Sequence, residues 1–361
     1  MRVKIVGAGS IGNHLAHASR SLGWDVTVSD LDPKALRRMR EDIYPSRYGE
    51  WDDAIRLTTP DRVPRGSFDA IFIGTPPESH LSLALAALEE GPRALLIEKP
   101  ACPPDLEGAV LLAERAAAGG VHVIVGYNHV VAPATHAAEE LVRSGAIGDV
   151  VTIDVDWREH WRGIFAAHPW LSGPADSYLG FWRRGGGAAG EHSHGVNLWQ
   201  HFAHVAGGGR VTEVTGAARY VSDGVTDYDE AIALALRTEH GLFGTVVQDV
   251  VGVPPRKIVH LQGTTGSATW IANHDAGGDA VVLQRPGHQD ETTRFEKTRP
   301  DDFIRELEHL AEHLESGTAS PTSLDRGLDT ALVIAAGHES AHSGRRIGIA
   351  YEHGYTRRAL G

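Results

Sequence analysis

Arg2-Val3-Lys4-Ile5-Val6-Gly7-Ala8-Gly9-Ser10-Ile11-Gly12 stands at the head of the chain, and its reading decides the fold. The apolar run up to Val6 reads as a buried strand, and Ile11-Gly12-Asn13-His14-Leu15 begins a helical stretch. Between them the glycines fit G-x-G-x-x-G. Gly7 permits the tight turn, Gly9 lets backbone amides approach a pyrophosphate, and Gly12 allows helix and sheet to pack closely, with Ser10 and Ile11 completing the loop. The next strand, Val26-Thr27-Val28-Ser29, runs into Asp30, eighteen residues beyond Gly12. That is close to the roughly 20 at which an acid meets the adenosine ribose of a dinucleotide. An aspartate there accepts hydrogen bonds from ribose hydroxyls and repels a 2′-phosphate, so the reading is NAD rather than NADP.

Outward from this motif, short apolar runs alternate with helical stretches as far as Val121-His122-Val123-Ile124-Val125. This is the pattern of βαβ units and a doubly wound parallel Rossmann sheet. Beyond Asn128 one helical segment, 133–148, leads into β-branched, period-2 stretches at 150–157, 211–221, 229–238, 242–251, 257–272 and 280–285. These predict a large, mostly antiparallel, open-faced sheet in a second α+β domain. The tail, 303–317 and 326–344, returns to helical periodicity. The division is therefore an NAD-binding domain over 1–126 and a substrate-binding and oligomerisation domain over 127–361, with the closing helices returning to the first domain.

Composition excludes other classes. With 361 residues, 42% hydrophobic and 22% charged, the chain is long enough for two cores. It has no apolar run of membrane-spanning length and no signal-peptide pattern after Met1, so a cytoplasmic protein is expected. A net charge of −13 is the wrong sign for nucleic acid. The single cysteine, Cys102, allows neither an intrachain disulfide nor a cysteine-held metal.

Five motifs together resemble the glucose-fructose oxidoreductase, inositol dehydrogenase and MocA family. They are the glycine loop; Gly74-Thr75-Pro76-Pro77-Glu78-Ser79-His80; Glu98-Lys99-Pro100; Gly126-Tyr127-Asn128 with Pro133; and Gly185-Gly186-Gly187 before Ser193-His194. The resemblance spans nearly the whole chain. It implies an NAD-dependent enzyme that moves a hydride to or from a ring carbon of a sugar or cyclitol. Thr75, Pro76, Pro77, His80, Glu98, Lys99 and Asn128 would lie against the cofactor. Lys99 and His194 would form the catalytic pair, an ammonium stabilising alkoxide and an imidazole removing the hydroxyl proton. Where relatives carry an aspartate four residues before that histidine, this chain has Gly190; Glu191, three before it, is expected to take over by sharing a helix face with His194.

On the substrate side, Lys99, Asn128, His194 and Asn197 are expected near the reacting ring, Asn197 serving either substrate or helix. Four of the eight tryptophans, Trp157, Trp161, Trp170 and Trp182, fall between 157 and 184. They form either a sugar platform or a packing arm, and Arg158 and Arg183 either clamp an anion or remain solvated. Glu191 and His194, with His192, His201 and His204 near in sequence, suggest a metal, but His192 and His194 face different sides of a helix and His201 and His204 pair with each other one to two turns away, so none is expected. The resemblance also implies a homodimer or homotetramer formed through the second sheet. Two other functions compete: an NAD-dependent glycoside hydrolase or lyase that oxidises its sugar only transiently, and a nucleotide-sensing regulator without chemistry.

Overall fold

The structure is a computed structural model describing residues 1–361 except Ala167 and Ala276. Six parallel strands make the first sheet: β1 (Arg2–Val6), β2 (Asp25–Ser29), β3 (Arg56–Thr58), β4 (Ala70–Ile73), β5 (Ala94–Ile97) and β6 (His122–Val125). Their order is β3-β2-β1-β4-β5-β6, which reverses direction between β1 and β4. Such a reversal leaves a crevice outside the strand ends, where doubly wound sheets bind ligands. Strands β4 and β5 are buried at every position, as expected of a sheet covered on both faces. Helix α1 (Ser10–Ser21) follows β1, α2 (His80–Leu88) follows β4, and α3 (Ala109–Gly119) precedes β6.

After α4 (Pro133–Arg143) comes β7 (Val150–Arg158). Helices α5 (Gly187–Glu191) and α6 (His194–Val205) then precede β8 (Val211–Ser222), β9 (Asp227–Thr238), β10 (Phe243–Asp249), β11 (Arg256–Gly263), β12 (Ser267–Asp275), β13 (Gly278–Gln284) and β14 (Glu291–Glu296). With β15 (Ile347–Gly348) these strands form a nine-stranded sheet in the order β14-β13-β12-β11-β7-β10-β9-β8-β15. All pairs are antiparallel except β7 with β10.

Two closing helices return to the first half. Helix α7 (Asp301–Ser316) buries Phe303, Leu307 and Leu310 with Leu15 of α1 and Val3 and Ile5 of β1. Helix α8 (Leu324–Ser343) is buried along most of its length in the core shared by both sheets. The C-terminal ends of β5 and β6 are thereby held over the inner face of the second sheet, and the functional residues gather at that junction.

Candidate active site

The glycine loop is built from backbone. Gly7 adopts φ +106°, and a Cβ on Gly12 would stand 1.9 Å from the Gly7 carbonyl oxygen, so glycine is required for α1 to begin there. Nothing lies within 4 Å of where a Gly9 Cβ would be, and no side chain caps α1. The first amides of α1 therefore have no side-chain cap, which suits an anion at a helix N-terminus. Asp30 closes the cradle: its Oδ2 accepts from Ala8 N at 2.8 Å and its Oδ1 from Asp32 N at 2.8 Å. Arg47, which no motif marks, reaches the same loop by donating to Ser10 O at 2.9 Å and Ser10 Oγ at 2.8 Å. These residues fit a dinucleotide pyrophosphate and ribose.

The Thr75 and Lys99 loops are tied by His80, whose buried ring lies 2.7 Å from Thr75 O and 3.0 Å from Pro100 O. His80 thus supports the cofactor loops from behind. Thr75 Oγ1 bonds Ser79 Oγ at 2.7 Å, and Pro77 packs so tightly against Gly185 that a Cβ there would stand 2.8 Å from it. The Lys99-Pro100 bond is cis. Glu98 is buried, accepts from Lys99 N at 3.2 Å, and is pushed up to about 7 by burial, with the Lys99 charge opposing. Asn128 is buried at the start of a short turn after β6.

Lys99 and His194 come from different halves of the chain. The Lys99 ammonium donates to Glu191 O at 2.8 Å and lies 3.4 Å from Glu191 Oε2, which also accepts from Tyr178 OH at 3.5 Å. His194 sits in an aromatic box, with His129 at 4.7 Å edge-on, Tyr127 at 5.6 Å edge-on and Trp157 at 6.0 Å nearly parallel. Burial, followed by the charges of neighbouring bases, holds its imidazole well below the ordinary histidine range.

Several expectations need correcting. The helix breaks at His192-Ser193, so Glu191 closes α5 while His194 opens α6. Glu191 therefore serves Lys99 and makes no hydrogen bond with the histidine among the described residues. Gly190 could not carry the relatives' aspartate, because its Cβ would stand 2.0 Å from Gly185 O. Arg158 lies on the opposite face of β7 from Trp157, since side chains alternate along a strand, and pairs with Asp249 at 2.9 Å. Arg183 pairs with Asp227, and Trp182 stacks on His338 at 4.5 Å. Asn197 is buried and donates to Thr330 Oγ1 at 3.1 Å, tying α6 to α8. His201 accompanies Glu139 at 2.5 Å. His129 was missed; it directly follows the Gly126-Tyr127-Asn128 motif, and that adjacency was the available signal.

Fold and site together define a dinucleotide-binding oxidoreductase. Residues 1–127 match the GFO/IDH/MocA oxidoreductase family, with its NAD-binding Rossmann fold, and residues 135–269 match that family's C-terminal domain. The chain belongs to this family. Among solved structures it is similar to levoglucosan dehydrogenase in complex with NADH and levoglucosan, at 17% identity and TM-score 0.77 over 96% of this chain and 98% of that one. A Sinorhizobium meliloti protein provisionally assigned as a myo-inositol dehydrogenase is 20% identical with TM-score 0.73, over 97% of this chain and 100% of that one. An Agrobacterium radiobacter oxidoreductase in complex with NAD+, L-tartaric acid and magnesium is 19% identical with TM-score 0.75, over 96% and 98%. No curated protein matches the chain. Among the described residues, no helix is long and apolar enough to cross a membrane.

Proposed function

We propose that this oxidoreductase interconverts a ring CH–OH and ketone of a sugar or cyclitol at Lys99 and His194. The observation that carries the reading is that the Lys99 ammonium, two residues beyond β5, donates to the Glu191 carbonyl three residues before His194, whose ring lies beside Trp157 at the start of α6. NAD, when bound, supplies the hydride acceptor or donor. His194, kept neutral by burial, takes the hydroxyl proton, and the Lys99 ammonium stabilises the oxygen as negative charge develops. Glu191 and Tyr178 hold the ammonium in place. Trp157 is buried against His129, His194 and Trp270, so it backs the base rather than offering a face to the sugar. The enzyme is assigned to the cytoplasm. It is assigned as a homo-oligomer through the outer face of the second sheet, where Ala233 and Ala235 of β9 align with Val247 and Thr245 of β10 beside Phe243, which is 55% exposed.

The test is NADH formation on a panel of sugars, sugar acids and inositols by wild type, Lys99→Met and His194→Ala. Loss of the ammonium is expected to lower kcat by about a hundredfold or more, and loss of the imidazole by roughly 10² to 10⁴, with NAD affinity retained in both. Near wild-type turnover in His194→Ala would assign the base elsewhere. Substrate consumption without net NADH would instead favour the hydrolase or lyase.

A further inference from the structure

We propose that Lys257 reads an anionic group, so that the sugar or cyclitol taken by this site carries a carboxylate; this rests on the dehydrogenase reading above. Strand register places the residue. Gln248 of β10 and Lys257 of β11 both pair with Trp157 of β7, so the three form one row across adjacent strands on one face of the sheet. That face is the inner one: a Cβ on Gly195, at the start of α6, would stand 3.1 Å from Gln248 Nε2 and 3.3 Å from Trp157 Cβ. The row is the floor beneath His194.

Within this floor Gln248 is engaged, since its amide donates to His192 O. Trp157 offers only its ring. Lys257 holds its ammonium 5.7 Å from the centre of the Trp157 ring and 2.5 Å from Glu159 Oε2, with a side chain only 17% exposed. An ammonium has three donors, and Glu159 supplies its only carboxylate partner among the described residues. A ring with one hydroxyl at Lys99 and His194 presents its far substituent to Lys257, which stands in the row beneath His194.

Hydrogen-bond strength selects an acid over a hydroxyl there. Lys297 faces two carboxylates at once, Asp279 at 2.9 Å and Asp302 at 3.3 Å, whereas Lys257 faces one among the described residues, Glu159. A carboxylate would accept a charge-assisted hydrogen bond, which is stronger than one to a neutral hydroxyl.

The experiment uses full-length enzyme and matched pairs, D-glucose with D-glucuronate and D-galactose with D-galacturonate. It measures kcat/KM with NAD, and calorimetric binding to enzyme loaded with NADH. In at least one pair the acid is expected to exceed its neutral partner by about tenfold or more in both measurements. Lys257→Met should reduce that ratio by roughly ten- to a hundredfold, and Lys257→Arg should restore most of it. A lysine that only braces Glu159 would leave the ratio unchanged when replaced. An unchanged ratio, equal binding within both pairs, or no binding of either acid would overturn the proposal. Tighter binding of acids with no NADH formed would sustain anion recognition while overturning the dehydrogenase reading.

Discussion

The two walls of the cleft are made of different material. The cofactor wall, Gly7 to Gly12 with Asp30, presents main-chain amides, and its geometry depends on atoms being absent. The proposed substrate wall, Lys99, His194 and Lys257 backed by the buried Trp157, consists of side chains delivered from the end of β5, α6, β11 and β7. The first should therefore fail when atoms are added, and the second when they are removed. Gly12→Ala makes the sharpest contrast, because its Cβ would meet the Gly7 carbonyl at 1.9 Å, and backbone cannot swing aside as a side chain can. Destabilisation at or above the upper end of the ~1–3 kcal/mol usual for overpacking is expected. NADH titration and thermal melting measure it; a variant with wild-type affinity and melting would break the contrast.

Asp30 is the acidic side chain of the cofactor wall, and it has two tasks. It pins Ala8 and Asp32 through their amides, and it sets the sign of charge facing the ribose. Asp30→Ala should lower the ratio of kcat/KM for NAD over NADP by about tenfold or more, because the repulsion of a 2′-phosphate is removed along with the ribose acceptor. An unaltered ratio would mean that discrimination resides elsewhere.

The same contrast explains what could be read in advance. The first wall is local: strand, glycines, helix and acid follow one another, so spacing alone locates them. Lys99 and His194 stand in recognisable short motifs, although nothing in their spacing says that they meet. Lys257 and Arg47 are invisible to any local pattern, because one reaches the site through β11–β7 register and the other through a tertiary contact with Ser10. Glu191 was misread because a helix was extended across His192-Ser193, where the chain breaks. Arg158 could have been placed correctly, since Trp157 and its successor cannot point to the same side of a strand.

At the seam between the halves, Glu306 of α7 is buried with neither carboxylate oxygen partnered. Burial, with Glu98 and Asp302 adding to it, holds this carboxyl well above its usual range. The folded protein therefore keeps a proton that the unfolded chain releases above a pH of about 4.3. Between those two values, each further pH unit costs the fold about 1.4 kcal/mol. Glu306→Gln has no proton to lose, so its stability relative to wild type should rise with pH above about 4.3 until the buried carboxyl ionises. Buried histidines titrate alike in both proteins and cancel in the difference. A pH-independent difference between the two denaturation curves would show that Glu306 is ionised in the fold.

The smallest effect on turnover is expected at Arg158, and it tests whether the two faces of β7 are as separate as the register makes them. Its guanidinium pairs with Asp156 and Asp249 on the outer face, while its neighbour Trp157 underlies His194 on the inner one. The Arg158 side chain is 40% exposed but its Asp249 partner only 5%, so removing the guanidinium costs on the order of 1–3 kcal/mol, more than an exposed pair. Arg158→Ala should therefore lower the melting temperature and leave kcat and KM within about twofold of wild type, well below the tenfold that removal of one contacting charge costs. Trp157→Ala should instead lower kcat and the melting temperature together, because it opens a cavity beneath His194 and loosens the box around the base. A large rise in KM for Arg158→Ala on an acidic substrate would mean that the guanidinium turns around the strand end to reach the ligand. Anion recognition would then be shared between Arg158 and Lys257, and the Arg158→Ala and Lys257→Met effects would be non-additive in the double variant.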